Sequence, residues 1–297
     1  MPRCAFLNMD STAEWSIDAD LAFEPLARLG WQSEWVPWKT PDVDWGSWDV
    51  VYLAATWDYP DEPDRFIEVV EAIDASSTLL VNPLDAVRWS VRKTYLRDLA
   101  ERGVGIVPTK FYSRFSNCQP EELYRRFATD TLVFKPVIGA NAQHAFLVSQ
   151  PELERFRPEM AAVFAAREFM VQPCMQAIYD DGEYSLMYVA GEFSHAIRKV
   201  PKAGDFRVQE EHGSTVTAVV PTEAMRTVSE QALAAAPQDL LYARCDVVRD
   251  SHDNYCIMEL ELVEPSLYLR MDDAAPARFA AALDHYYRRC LTEGERK

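Results

Sequence analysis

The segment Met258-Glu259-Leu260-Glu261-Leu262-Val263-Glu264-Pro265-Ser266 sets carboxylates between large apolar residues, and few folds accommodate that pattern. Alternation with period two describes a strand, so Glu259 and Glu261 share one of its faces. A second run, Tyr242-Ala243-Arg244-Cys245-Asp246, precedes it, and the connection from Arg249 to Asn254 is too short for a crossover. The two strands are therefore expected to pair as an antiparallel hairpin. In an odd-summed register, for example with Asp246 opposite Ile257, Asp246 joins the same face. Three carboxylates placed together repel one another, and a hard divalent cation, Mg2+ first, relieves that repulsion. An amphipathic strand with a solvated acidic face reads the same way in a chain with Asp+Glu 47 against Lys+Arg 30.

That imbalance gives a formal charge of -17, which disfavours nucleic acid as a partner. The six cysteines (Cys4, Cys118, Cys174, Cys245, Cys256 and Cys290) form no CxxC pair, so they read as reduced thiols of a cytoplasmic protein. Acidic residues arrive too early for a secretory signal, and no apolar run approaches the ~20 residues that span a bilayer. The expectation is a soluble protein without a membrane partner.

The periodicity predicts an α/β chain of three lobes, bounded at residues 1–88, 89–172 and 173–297. In the first, strands at Cys4 to Leu7, Ser33 to Val36, Val50 to Ala55 and Thr78 to Val81 alternate with helices near Ala19 to Leu29 and Pro63 to Ile73, which implies a mostly parallel sheet. The second begins with a helix capped by Ser90, carrying Lys93 in its first turn and stopped by Gly103. Strands at Gly105 to Phe111, Thr131 to Phe134, Ala145 to Val148 and Phe169 to Val171 follow, with helices around Glu121 to Phe127 and Glu152 to Phe156. After Pro173 the strands Glu183 to Val189, Glu192 to Lys199, Thr215 to Val220, Leu241 to Val248 and Tyr255 to Val263 form an antiparallel sheet. Helices near Thr222 to Ala235 and Ala275 to Arg289 are expected to cover it.

Phosphate loops of the GxxxxGK[ST] or GxGxxG type are missing from a chain with Gly 10. Lys135 closes an apolar strand before Pro136 and the loop Gly139-Ala140-Asn141, an arrangement that offers an ammonium and free N–H groups to phosphate, or equally a surface lysine. Arg198, Lys199, Lys202 and Arg207 form a basic island around a Pro/Gly turn, able to clamp a carboxylate or a transferring phosphoryl group. Trp57-Asp58-Tyr59-Pro60 ends a strand of the first lobe, where α/β sheets collect ligands; a packed aromatic turn is the simpler alternative. The histidines lack metal-ligand spacing, and neither Cys174 nor Cys245 has an evident base.

The order of these pieces resembles the ATP-grasp superfamily, of the prokaryotic glutathione-synthetase type, from about Asn82 to Ser266. Asn82-Pro83, Arg88-Trp89, Val171-Gln172-Pro173, Gly191-Glu192-Phe193-Ser194-His195, Arg198-Lys199-Val200-Pro201, Gly204-Asp205-Phe206-Arg207 and Met258-Glu259-Leu260-Glu261 are similar to the cycloserine-forming cyclo-ligases. The resemblance implies that Lys93 and Lys135 contact nucleotide phosphates and that Gln172, Pro173, Cys174 and Met175 form the hinge beside adenine. It further implies that Asp246, Glu259 and Glu261 hold Mg2+, with Mn2+ as a substitute. Arg198, Lys199 and Arg207 would face the acyl phosphate or substrate carboxylate, and Glu183 the substrate or ribose. Two features depart from the family: Glu259-x-Glu261 stands where many relatives have Glu-x-Asn, and the loop Gly139 to His144 is poor in glycine.

The implied activity is ATP-dependent activation of a carboxylate as an acyl phosphate, then attack by an amine on a small amino-acid-like substrate, in a protein that is a homodimer like its relatives. Intramolecular attack would close a ring instead. A nucleotide-binding protein without ligase activity is the alternative of another class, and a metal-dependent hydrolase rests on the acidic triad alone.

Overall fold

In the computed structural model, which describes residues 1–13 and 15–294, three sheets follow one another along the chain. The first contains β1 (Arg3–Asn8), β2 (Gln32–Pro37), β3 (Val50–Ala55) and β4 (Leu79–Val81), all parallel, in the order β2-β1-β3-β4. Every residue of β3 is buried, as expected of a parallel strand covered on both faces. Helix α1 (Phe23–Arg28) lies on one side, where Phe6, Tyr52 and Ala54 pack. Helix α2 (Pro63–Asp74) lies on the other, its Phe66, Val70 and Ile73 meeting Leu7, Val51 and Leu53.

Helices α3 (Leu84–Ser90) and α4 (Tyr95–Glu101) lead out of this sheet, and here the structure corrects the sequence. Ser90 is the last residue of α3 rather than an N-cap. Its hydroxyl donates to Leu260 O and accepts from Leu262 N–H, and Lys93 lies between the two helices with its amide on Val137 O. The apolar residues Val91, Tyr95, Leu96 and Leu99 are buried as the period predicts, but a helix that the period does not predict, α3, precedes them. Gly103, at φ +84°, ends α4 as expected.

The second sheet, ordered β5-β8-β6-β7, is antiparallel: β5 (Lys110–Tyr112), β6 (Thr131–Pro136), β7 (Phe146–Ser149) and β8 (Phe169–Pro173). The strand expected from Gly105 is curtailed because Pro108 has no N–H to donate; Ile106 makes only an isolated bridge to Ile257. Helices α5 (Pro120–Phe127) and α6 (Leu153–Val163) pack Leu123 and Met160 against Phe134 and Phe169, and α6 runs through Pro158 well beyond its expected end. In β6 the burial alternates, so Val133 and Lys135 face away from this core.

A short helix, α7 (Ala177–Asp180), leads to the third sheet, ordered β11-β10-β9-β12-β13 and wholly antiparallel. It comprises β9 (Glu183–Val189), β10 (Glu192–Val200), β11 (Thr215–Val219), β12 (Tyr242–Arg249) and β13 (Tyr255–Glu261). The two-residue turn Ala190-Gly191 has φ of +50° and +81°, the mirror-image geometry that matches strand twist. Helix α8 (Glu223–Ala235) covers β12 and β13, with Thr222 accepting from Met225 N–H as its cap. The last helix, α9 (Ala275–Glu293), covers more than this sheet: Phe279 and Leu283 join one core with Phe6 and Tyr52 of the first sheet and Met187 and Ile197 of the third.

Asn82 fixes the first sheet to the third. Its side chain, fully buried, donates to Tyr242 O and Leu262 O at 2.9 Å and accepts from Leu241 N–H at 2.8 Å. Asn82→Ala leaves these main-chain groups unpaired, so denaturant unfolding of the variant should show a loss on the order of 3 kcal/mol. A loss within experimental error would remove Asn82 from the interface.

Candidate active site

One cleft lies between the second and third sheets and is closed at one end by the first. Its floor is a line of polar side chains crossing the third sheet. Lys199 stands opposite Glu183, Ser185 opposite Asp246, and Asp246 opposite Glu259. The hairpin register at the site is odd-summed as expected, but the partner of Asp246 is Glu259 rather than Ile257. A bulge after Asp246 then shifts the pairing by one residue. The consequence is that Asp246, Glu259 and Glu261 present oxygens that all lie within 4.8 Å of one another.

Each of these carboxylates is bonded to a cation. Lys135 Nζ lies 2.8 Å and Lys93 Nζ 3.3 Å from the two oxygens of Glu259. Lys135 comes from the second sheet and Lys93 from the α3–α4 connection, so Glu259 ties both to the third sheet. Burial disfavours the Glu259 charge, but Lys135 and then Lys93 outweigh it and hold the carboxyl well below the usual range. Arg244 spans Asp246, at 2.9 Å, and Glu261, at 2.5 Å. Lys199 lies 2.5 Å from Glu183 and 3.5 Å from Asp246, and Ser185 donates its hydroxyl to Asp246. Asp246 is therefore held low against its burial, whereas Glu183 is raised by its burial despite Lys199.

Arg244 was not assigned a role from sequence. The signal was present: a single arginine one alternation before Asp246, on the inward face of an otherwise apolar strand. Glu264 was also missed, because Leu262-Val263 breaks the alternation ahead of it. It is 7% exposed, lines the cleft, and its carboxyl is pushed up to about 8, first by burial and then by Glu261. Burial likewise lifts Glu261 to about 6 despite Arg244.

Other expected residues divide. Gln172, Pro173, Cys174 and Met175 line one end of the cleft together, and Gln172 is fixed by a bond from its amide nitrogen to Thr109 Oγ1 at 2.9 Å. Lys199 and Arg207 line it too; Arg207 sits in a loop after β10, forked onto Asp205 at 2.7 and 3.0 Å. Arg198 does not reach it. Adjacent to Lys199 on a strand, it projects from the opposite face, where its Nε donates to Asp181 O. Trp57 and Tyr59 line the cleft from the first sheet, whereas Asp58 turns to Lys39 and Trp38.

The glycine-poor loop 139–144 is spanned from both sides. Gln143 donates to Asp61 at 3.1 Å, and His212 Nε2 is 3.4 Å from Asn141 O. Asn141, Ala142 and His144 all take φ between +52° and +58°, a region that costs a side-chain-bearing residue roughly 1–2 kcal/mol.

The acids set a pH dependence. Glu261 and Glu264 keep their protons in the fold to higher pH than in the unfolded chain, where Glu titrates at about 4.3. Their ionisation therefore removes stability as pH rises from about 4 to 8. Thermal unfolding of the ligand-free protein should show Glu264→Gln stabilising at pH 8, with the difference vanishing towards pH 4. An equal effect at both pH values would contradict the assignment.

Known proteins share this fold. Residues 4–82 match the family model described as the N-terminal domain of D-cycloserine synthetase DcsG. The cycloserine biosynthesis protein DcsG of Streptomyces lavendulae is 28% identical over 284 residues, covering 90% of this chain and 93% of that protein. The crystal structure of D-cycloserine synthetase DcsG superposes with a TM-score of 0.84 at 26% identity, over 96% of this chain and 99% of that one. The fold is shared more distantly with the D-alanine–D-alanine ligase of Bacillus anthracis solved with ATP, at a TM-score of 0.72 and 13% identity over 99% and 100% of the two chains. This chain has the ATP-grasp fold and is similar, along nearly its whole length, to the cycloserine-forming ligase.

Proposed function

We propose that the protein activates the carboxylate of an amino-acid-derived small molecule with ATP and joins it to an amine nitrogen. The observation that carries this reading is the bonding of Glu259 to both Lys93 and Lys135 beside two further carboxylates. Two lysines and a convergent oxygen set are the opposite charges that a triphosphate with its metal brings together.

Asp246, Glu259 and Glu261 supply hard oxygen donors only, which fits Mg2+, or Mn2+ in its place. When bound there, the ion neutralises charge on the phosphates. Lys93 and Lys135 turn from Glu259 to phosphate oxygens, and the main chain from Gln172 to Met175 holds the base. Lys199 keeps Asp246 ionised and in place, and Arg207 takes the substrate carboxylate or the acyl phosphate; Arg198 has no part in this reading. The carboxylate oxygen attacks the γ-phosphorus and ADP leaves. The amine nitrogen then attacks the acyl carbon, phosphate leaves, and the nitrogen gives up its proton. No side chain is required as nucleophile, so the work is positioning and charge stabilisation. The loop 139–144 shields the acyl phosphate from water.

A second reading, intramolecular attack with ring closure, is favoured by the similarity to the cycloserine enzyme along nearly its entire length. We divide the chain at residues 88 and 172 into a substrate lobe, a lid-bearing lobe and a metal-binding lobe. We place it in the cytoplasm as a homodimer; among the described residues no disulfide joins its cysteines, and no described helix is long and apolar enough to cross a membrane.

Screening ADP release with Mg2+ against pooled amino acids, their O-substituted derivatives and dipeptides, followed by mass spectrometry, tests the reading. A product lighter than one substrate by one water indicates cyclisation; a mass joining two substrates indicates intermolecular ligation. ATP binding with no ADP release from any mixture would leave only a nucleotide-binding protein. In an active mixture Glu259→Gln should abolish ADP release without loss of fold by circular dichroism, and retained turnover would remove Glu259 from the mechanism. Lys135→Ala should weaken ATP binding by about 1.5–3 kcal/mol in calorimetry, the worth of one charged contact. Unchanged affinity would return Lys135 to a structural role.

A further inference from the structure

Of the buried and half-buried carboxylates at the metal-binding end of the cleft, Glu183, Asp246, Glu259 and Glu261 each have a lysine or arginine bonded to them. Glu264 is the exception: among the described residues no cation forms an ion pair with it, although it is 7% exposed. Lys93 and Arg244 act on it only through space, because their own bonds go to Glu259 and to Asp246 and Glu261. With nucleotide bound, Lys93 is drawn towards phosphate and is still less available. In the empty cleft burial keeps the Glu264 carboxyl protonated, and a cation bonded to it from outside would stabilise its ionised form.

The place of Glu264 says what kind of cation. It follows β13 at the end of the cleft nearest the first sheet, beyond the metal-binding carboxylates. Trp57 Nε1 donates to its main-chain oxygen at 2.8 Å, which fastens this turn to the carboxyl end of β3. Trp57 and Tyr59 line the same end of the cleft, and of the charged side chains that act on the Tyr59 phenol Glu264 is the strongest. A carboxylate beside two aromatic rings suits a compact organic ammonium.

We propose that Glu264 receives the α-ammonium group of the substrate, so that the molecule activated in this cleft is a free α-amino acid derivative. The inference rests on the ligase reading for the position of the substrate carboxylate, next to the metal-binding acids. Glu264 then acts as a positioning residue: it holds the non-reacting end of the substrate, and the carboxylate is presented to the γ-phosphate. A peptide amide or a hydroxy acid would leave Glu264 unpaired and is rejected.

Calorimetry on the full chain loaded with Mg2+ and a non-hydrolysable ATP analogue tests this without turnover. The probes are D- and L-serine, D- and L-alanine and cycloserine, with glycerate and lactate of matching configuration as ammonium-free counterparts. At least one amino-bearing probe should bind the wild type at least about 10-fold more tightly than its hydroxy counterpart, the worth of one charged hydrogen bond. Glu264→Gln should lose that preference with unchanged affinity for the ATP analogue, and Glu264→Asp should recover part of it. Equal binding of amino and hydroxy acids to the wild type, an undiminished preference in Glu264→Gln, or binding of none of the five amino-bearing probes would overturn the proposal. Because the wild-type comparison needs no variant, misfolding of Glu264→Gln does not rescue it. Ammonium-selective binding without ADP release would end the ligase reading and leave the role of Glu264 standing.

Discussion

Glu259 is the residue on which three parts of the chain meet. Its two oxygens hold Lys135 of the second sheet and Lys93 of the α3–α4 connection, while its main chain belongs to β13 of the third sheet. In the proposed function this is the contact that nucleotide breaks: the two lysines would pass to the triphosphate and the carboxylate to the metal, so that binding exchanges one balanced set of charges for another.

The rest of the floor follows the same logic. Buried charges persist in a fold only when paired, and here the pairing is arranged by sheet register: Lys199 across from Glu183, Ser185 across from Asp246, Arg244 across from Glu261. A slip of one residue in β13 would turn Glu259 and Glu261 into the core beneath α8 and bring Leu260 to the cleft. The bulge after Asp246 changes the register near the turn, with Val247 opposite Ile257, into the one that sets Asp246 opposite Glu259. Asn82 adds a second lock by bonding the main chain of both β12 and the segment after β13.

Much of this was legible in the sequence, for a definable reason. The acids of β13 and the lysine near the end of β6 lie on strands, where period two decides the face and neighbouring apolar residues decide burial, whereas the segment Gln172 to Met175 was expected from the family resemblance alone. Elements with mixed signals were harder. Ser90 looks like a cap because serine before an apolar period usually is one, but its hydroxyl serves β13, a contact 170 residues away in sequence. Arg198 and Lys199 form one basic island when read linearly, and a strand sends them to opposite faces. Arg244 and Glu264 acquire meaning only from the tertiary structure, the first from its several partners and the second because no cation among the described residues pairs with its carboxyl. Helix α9 bridges two sheets, a placement that no local pattern encodes.

The central claim is the exchange of partners at Glu259. Its most direct test is a crystal structure of the protein with Mn2+ and a non-hydrolysable ATP analogue, read by the anomalous signal of the metal. The account predicts a manganese peak among the carboxylate oxygens of Asp246, Glu259 and Glu261, with Lys93 and Lys135 on the phosphates. A peak elsewhere, or Glu259 still bonded to both lysines beside bound nucleotide, would contradict it.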